Sequence, residues 1–532
     1  MATRNPRIQH ILGGGLASDL GASAQVQPQG NVAVIPFLRE AKDIWFTLDG
    51  GVEKVGGTSL IGPTIGSDAI DSMFDYWYTS AGTAFQKRVI YTGTNLRADD
   101  GSGAFATISS TMQLEAKVHF SMYDEDLIVS STSSAEVPQV YNGVTLETLG
   151  TNTPNFAFAE IHKQRLWAAG DMSAPSRLYY SKTLPDGPRG DWSDADSGSF
   201  DINPGDGDEI TGLYSYKDSL FVFKGPNKGS IHRIEGASPT GSDPFARRDF
   251  LKHGLPVSSP NGFFEFNDDV GFVASDGTIH TLKSTAAFGD FNEAALSRGI
   301  NQLIADRVNR SALFRVDAAT WGERGLVLIA MPMDGSNRPN KILAMDYRFD
   351  PPRWSILEDY DASSLAGHID EQRGRRVGVM IGGSDAGVRR IDETMPRNEA
   401  AGGGSYTAIT SRIRTPYLNY AGAQDRFTLQ RLSLASSPDG VGTIDFEWKR
   451  DGQPSQLITL PSQASGDVLG STFIMGTSAL GHYETRNRHI ALEDGGEFNQ
   501  ILYQIGNSTV NHRMEIRGFE VALSNPVDSV EN

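Results

Sequence analysis

An all-β chain is predicted: a β-propeller of about seven blades, followed by a β-sandwich formed by the C-terminal region, with or without N-terminal strands. Three observations predict it. One outline recurs: a strand-like run, a short polar turn, a second run, a gap with Gly or Pro, and a third run. The second runs open at Val89, Leu127, Leu166, Leu220, Val270, Leu326 and Val377, about every 48 residues, a spacing typical of propeller blades. Those second runs are also the most apolar pieces, as in "LFVFKG", "LWAAG" and "LVLIAM", which suits a central strand covered on both faces. Finally, 58 Gly and 25 Pro in 532 residues supply turn formers for many short strands.

The elements follow in chain order. Residues 1–30 are small and polar ("GGGLASDLGASAQ") and predict a flexible N-terminal arm, ordered only against a partner. Asn31–Gly62 holds a strand, a turn, a second strand ("DIWFTL") and a Gly-rich hairpin. Residues 31–66 are expected as N-terminal strands joining the sandwich, with the propeller then an insertion.

The propeller is expected over residues 67–396. Its first runs include "IDSMFDYWYT" (Ile70–Thr79), "KVHFSMY" (Lys117–Tyr123), "FAFAEIH" (Phe156–His162) and "ITGLYSY" (Ile210–Tyr216). Fourth strands are visible at Ser197–Ile202 and Arg353–Leu357. A sheet this small cannot bury both faces alone, whereas radial stacking covers each face with the next sheet and leaves only short edges. One segment departs from the pattern: Leu296, Ile300, Leu303, Ile304 and Val308 fall at helical spacing, predicting an amphipathic helix over Leu296–Asn309. "RNEAAGGGS" (residues 397–405) reads as a linker by composition. Residues 406–525 return to alternating strands and read as the sandwich; 526–532 form a tail.

Composition narrows the function classes. No cysteine is present, which excludes disulfides, thiolate metal sites and cysteine catalysis. The N-terminus shows no apolar h-region, so no signal peptide is expected. No run approaches the ~18 apolar residues of a membrane-spanning helix. The formal net charge is −18, which argues against non-specific grip on a phosphate backbone.

Chemistry is sparsely signalled. The histidines at 10, 119, 162, 232, 253, 280, 368, 482, 489 and 512 show neither H-x-x-x-H nor H-x-H spacing. The acidic loops Asp191–Asp201 and Asn203–Ile210 cluster hard oxygen ligands that suit calcium, yet neither follows the EF-hand pattern; solvated inter-blade loops are the favoured account of them. "SDGT" (Ser275–Thr278) and "GPNKGS" (Gly225–Ser230) read as strand turns. "FDYWY" (Phe74–Tyr78) reads as core. No catalytic residue, cofactor site or enzymatic activity is expected, and metal binding stays open.

The order of parts resembles a family of tailed-phage virion proteins, the propeller-bearing tail nozzle, tail tubular B or tail hub proteins of short-tailed bacteriophages. The likeness lies in "IPFLREAKDIWFTLDGGVEKVGG" (Ile35–Gly57), in "HKQRLWAAGDMSAPSRLYYSKTLPDGPRGDW" (His162–Trp192) with the later "GDEITGLYSYKDSLFVFK", and in "GEFNQILYQIGNSTVNHRMEIRGFEVAL" (Gly496–Leu523). It implies a structural role in the virion, after synthesis in the host cytoplasm: a ring of identical subunits, commonly a hexamer, through which DNA is ejected without specific binding. It also implies contacts with an adaptor or portal-proximal tail ring and with tail fibres or a spike. The chain is shorter than many nozzles and shows no large insertion for fibre docking. Acidic side chains are expected to line the lumen and repel DNA. The alternative is a glycan-binding or glycan-cleaving propeller acting in host receptor recognition.

Overall fold

The computed structural model describes residues 7–25, 29, 32–99, 103–110, 112, 117–132, 137–251, 256–282, 295–370, 375–400, 403–420, 427–440, 442–462, 486–491, 497–509 and 512–523. Strands dominate it, and seven sheets stand around one axis. Blade 1 is Ile70–Ser80, Thr83–Thr92, Asn95–Asp99 and Phe105–Ser109; blade 2 is Val118–Tyr123, Asp126–Ser131, Gln139–Tyr141 and Leu146–Thr148. Blade 3 is Phe158–His162, Arg165–Ala169, Arg177–Tyr180 and Gly198–Asp201; blade 4 is Glu209–Tyr216, Ser219–Gly225, Ser230–Glu235 and Ala246–Leu251. The fifth unit has three strands, Phe263–Phe266, Asp269–Val273 and Ile279–Thr281. Blade 6 is Asp317–Trp321, Leu326–Met331, Lys341–Asp346 and Arg353–Leu357. Blade 7 is Ser364–Asp370, Arg375–Gly382 and Val388–Asp392, completed by Gly57–Leu60. Six four-stranded blades and one three-stranded unit therefore make the propeller.

The ring closes because successive residues of each second strand point to opposite faces. Leu127 and Val129 pack on blade 1 through Tyr76, Val89 and Tyr91. Ile128, between them, packs on blade 3 through Leu166 and Ala168. Trp167 and Ala169 meet Leu220 and Val222, while Phe221 and Phe223 meet Val270 and Phe272. Val273 joins Val327 and Ile329, and Leu326 and Leu328 join Val379 and Ile381. Met380 then returns to Ile70, Met73 and Ile90 of blade 1. Each interface is thus zipped by alternate side chains of two strands.

The flanks differ from the sequence expectations in three places. The arm expected over residues 1–30 contains a strand, Arg7–Leu12, antiparallel to His512–Leu523 and parallel to Val32–Ile35. Ile8, Leu12 and Leu16 are buried in the core. Low local hydrophobicity hid this, because the glycines serve close backbone approach: a Cβ on Gly14 would lie 2.0 Å from the Pro36 carbonyl oxygen. Second, Gly57–Leu60 belongs to the propeller, where it pairs with Val388–Asp392. Third, Arg397–Glu399, read as linker, is a strand that pairs with Gly57–Leu60 and with Tyr406–Ala408.

The sandwich has two curled sheets. One joins Val32–Ile35, Arg7–Leu12, His512–Leu523, Phe427–Gly440 and Arg486–Ala491. The other joins Ser23–Gln25, Tyr417–Asn419, Ile501–Asn507, Ser411–Arg414 and Glu40–Lys42, and carries Gly442–Arg450 and Gln456–Ser462. Between them Phe519 meets Tyr503 and Phe446, with ring centroids 5.0 and 5.7 Å away. The second sheet runs on into blade 6 through a parallel bridge between Lys42 and Ile356, and one apolar core spans both. The helix expected over Leu296–Asn309 is shorter, a 3-10 turn Arg298–Ile300 followed by Asn301–Arg307. It ends at Val308, whose N–H caps the Ile304 carbonyl, and Asn309 then opens a new 3-10 turn, Arg310–Arg315, its side chain accepting the Ser311 N–H.

Candidate functional site

The inner strands of all seven units surround a cavity of about 470 Å³ on the propeller axis. They place there Phe74 and Asp75 from blade 1, Phe120 from blade 2, Glu160 from blade 3 and Tyr214 from blade 4. Phe263 and Glu265 come from the fifth unit, Thr320 from blade 6 and Ala366 from blade 7. The aromatic rings form two pairs on the wall. Phe74 and Phe120 have centroids 6.0 Å apart, Tyr214 and Phe263 5.0 Å.

The carboxylates are held by neighbours. Glu160 Oε1 accepts the Ser215 N–H at 3.3 Å. Glu265 Oε1 accepts the Tyr214 hydroxyl at 2.9 Å. Both oxygens of Asp75 accept from Gln86 Nε2, at 2.8 and 2.9 Å. Glu160 keeps part of its surface on the cavity, but its carboxyl is deeply enclosed. Burial therefore pushes its pKa up to about 7, with the charge of Glu265 adding to the rise and the Ser215 N–H opposing it.

Where the inner strands begin, a buried ionic network closes the axis. Lys117 Nζ lies 2.8 Å from Asp317 Oδ2 and donates to the Asp71 carbonyl at 2.7 Å. Their side chains are only 2 % and 4 % exposed. Asn261 Nδ2 donates to Asp317 Oδ1 at 3.0 Å, and the Leu365 N–H points at Oδ2 at 3.3 Å. Asp71 in turn accepts from Arg315 at 2.8 Å and Arg338 at 2.9 Å. Five of the seven units contribute to this plug. Burial raises the pKa of Asp317, and the Lys117 charge and the Asn261 amide counter it.

The acidic loops are committed to internal contacts. Asp191 accepts from Asn152 and Ser193, and Asp194 pairs with Lys182. Asp196 pairs with Arg165 and Asp201 with Arg177. Asp206 pairs with the fully buried ammonium of Lys224. Asp208 accepts the backbone N–H groups of Asn227, Lys228 and Gly229, at 2.6, 3.1 and 3.1 Å, so the turn in "GPNKGS" cradles the protein's own carboxylate. Among the described residues no group of three His, Asp or Glu side chains could hold a metal ion.

The other candidates scatter. "SDGT" is a tight turn, with Asp276 Oδ1 accepting the Thr278 N–H at 2.9 Å and Gly277 at φ +89°. Within "FDYWY", Tyr76 is core and donates to the Glu125 carbonyl, whereas Phe74 faces the cavity. His10 is fully buried, stacked on Phe519 at 4.6 Å, and burial lowers its pKa to about 3. His162 contacts Ser215, His232 contacts Ser230 and Asp249, and His280 contacts Thr278. His119 sits edge-on to Phe158 at 6.5 Å, its pKa lowered to about 4 by burial. His253 and His482 lie outside the described residues, as do the side chains of His368, His489 and His512. Sequence reasoning missed Glu160 and Glu265. They lie more than a hundred residues apart with no shared motif, and only the position of each on an inner strand could have flagged them.

No protein-family model matches the chain, and no curated protein matches it. Among solved structures, one resembling it is the computationally designed Ika8 protein, 10% identical, covering 73% of this chain and 99% of that one, TM-score 0.35. Another is YCF48 bound to D1 peptide, 8% identical, covering 64% and 95%, TM-score 0.37. BBS1N in complex with ARL6DN is 8% identical, covering 64% and 97%, also at TM-score 0.37. Likenesses this distant carry no argument about function.

Proposed function

We propose that this chain is a structural protein of a phage tail, one subunit of a ring through which DNA is ejected and to which other tail parts attach, without enzymatic activity. The observation that carries the reading is how the flanks are tied to the propeller. The sandwich sheet continues into blade 6 at Lys42 and Ile356, and the closing strand of blade 7, Gly57–Leu60, comes from the N-terminal side. Arg7–Leu12 and His512–Leu523 pair inside the sandwich. A subunit woven in this way resists shear between its parts, as a conduit under load requires. The buried plug also bears on the path of DNA. With Lys117 joining Asp71 and Asp317 across the inner strands, the conduit in this reading is the space enclosed by several copies, and acidic side chains, in excess in a chain of net charge −18, are expected to line it.

The test is the assembled state. Light scattering on the purified full chain and electron microscopy of the particle that carries it should give a closed ring, six copies being the expected number. A single copy per particle, or a lumen lined mainly by Lys and Arg, overturns the reading. A second reading, a glycan-binding or glycan-cleaving propeller, is favoured by one observation: aromatic faces and carboxylates share the axial cavity. Depletion of host-surface oligosaccharide by the purified chain, with binding lost on Phe74→Ala, would support it.

A further inference from the structure

We propose that the axial cavity is a receptor for a guanidinium group, held between the Glu160 and Glu265 carboxylates and the aromatic faces around them. No Lys, Arg or His lines this cavity among the described residues, and Glu160 and Glu265 are held there by neutral hydrogen-bond donors. Glu160 has one oxygen on the Ser215 N–H and Glu265 one on the Tyr214 hydroxyl; the second oxygen of each is left to the cavity. Asp317, at the base, is already matched by Lys117. Two unmatched carboxylates that feel one another across a space of about 470 Å³ favour a cation between them. The walls narrow the choice. Phe74 with Phe120 and Tyr214 with Phe263 present flat apolar faces. A planar, weakly hydrated guanidinium stacks on such faces and donates in a fork to carboxylates, which a compact, strongly hydrated ammonium does less well. The volume suits a small molecule or one side chain. The group can arrive on a free small molecule or on an arginine of a partner protein.

This inference stands apart from the tail-ring reading, because it is tested on binding and not on assembly. Isothermal titration of the full chain with agmatine should show one site. N-butylurea, which keeps the planar head and loses the charge, should bind at least about tenfold more weakly. Glu160→Gln and Glu265→Gln should each weaken agmatine about tenfold or more, with thermal melting confirming that both variants fold. Asp218→Asn, an exposed carboxylate away from the cavity, should leave affinity unchanged and so exclude general attraction to an acidic protein. An arginine-containing hexapeptide assigns the source. Tighter binding than agmatine points to a partner's arginine, equal or weaker binding to a free ligand; both support the receptor. The proposal is overturned by absence of agmatine and peptide binding at millimolar concentration, or by equal binding of butylurea. Unchanged affinity in the two glutamine variants, or occupation of the cavity by an uncharged oligosaccharide in place of agmatine, overturns it equally.

Discussion

Replacing Lys117 by Met should expose how the plug is held together. The substitution keeps much of the side-chain volume and removes the ammonium that lies 2.8 Å from Asp317 and 2.7 Å from the Asp71 carbonyl. Asp317 is then a buried carboxylate retaining the Asn261 amide and the Leu365 N–H but no counter-charge. Its cheapest escape is to take up a proton. At pH 7, protonating a carboxyl with an unfolded-state pKa near 3.9 costs about 4 kcal/mol, at ~1.4 kcal/mol per pH unit. That sets a ceiling on the charge penalty, consistent with the ~3–5 kcal/mol found when one partner of a buried pair is removed. Loss of the bond to the Asp71 carbonyl adds about 1 kcal/mol at any pH. The sign follows. The variant's Asp317 has a folded pKa far above its unfolded one, so the penalty is largest at high pH and shrinks as pH falls toward 4. Urea denaturation of wild type and Lys117→Met at pH 5, 6, 7 and 8 reads this directly, provided the transitions stay two-state. The destabilisation should fall by roughly 1.4 kcal/mol per unit from pH 7 to pH 5. A pH-independent loss, or one below about 1 kcal/mol at pH 7, would refute an ionic plug.

Three further outcomes follow from the same structure. Gly57→Ala should destabilise the closure of blade 7, because its Cβ would fall 1.7 Å from the Arg397 carbonyl oxygen; hydrogen exchange across Val388–Asp392 should accelerate while that of blade 3 stays unchanged. Asp43→Asn should stabilise the protein at pH 8 and do little below pH 4. Burial, with Asp359 adding, holds this carboxyl up at about 8 against an ordinary 3.8, so the wild type loses stability as pH rises between those values; equal pH profiles for the two proteins would count against it. Asp208→Ala should leave three backbone N–H groups without their acceptor and cost about 1–3 kcal/mol. If the acidic loops are purely structural, calcium or EDTA should not move the melting temperature of the wild type; a calcium-dependent rise would restore the ion-site reading.

Much of the architecture is legible locally. Runs such as "LFVF" (Leu220–Phe223) alternate between two interfaces, so their residues are apolar on both faces, and that marks central strands without any knowledge of neighbours. Turn residues behave likewise. Asn267 and Asp268 take positive φ in the hairpin of the fifth unit, and Lys163 and Gln164 do so in that of blade 3, short-turn geometry that hairpin spacing already implies. The arm and linker are illegible in the sequence for one reason. Glycine-rich stretches look structureless by composition, yet Gly14 of the arm packs against the Pro36 backbone, and Arg397 at the start of the linker is approached closely by the backbone of Gly57.

The sequence by itself determined the class of fold, the approximate number of blade-like units and which strands are central, because strand periodicity and turn chemistry act over a few residues. Only tertiary structure decided that Gly57–Leu60 closes blade 7, that Lys117 meets Asp317 two hundred residues away, and that Glu160 and Glu265 share a cavity. Those facts depend on ring closure, which brings distant strands to one axis at a distance in sequence over which no local pattern extends.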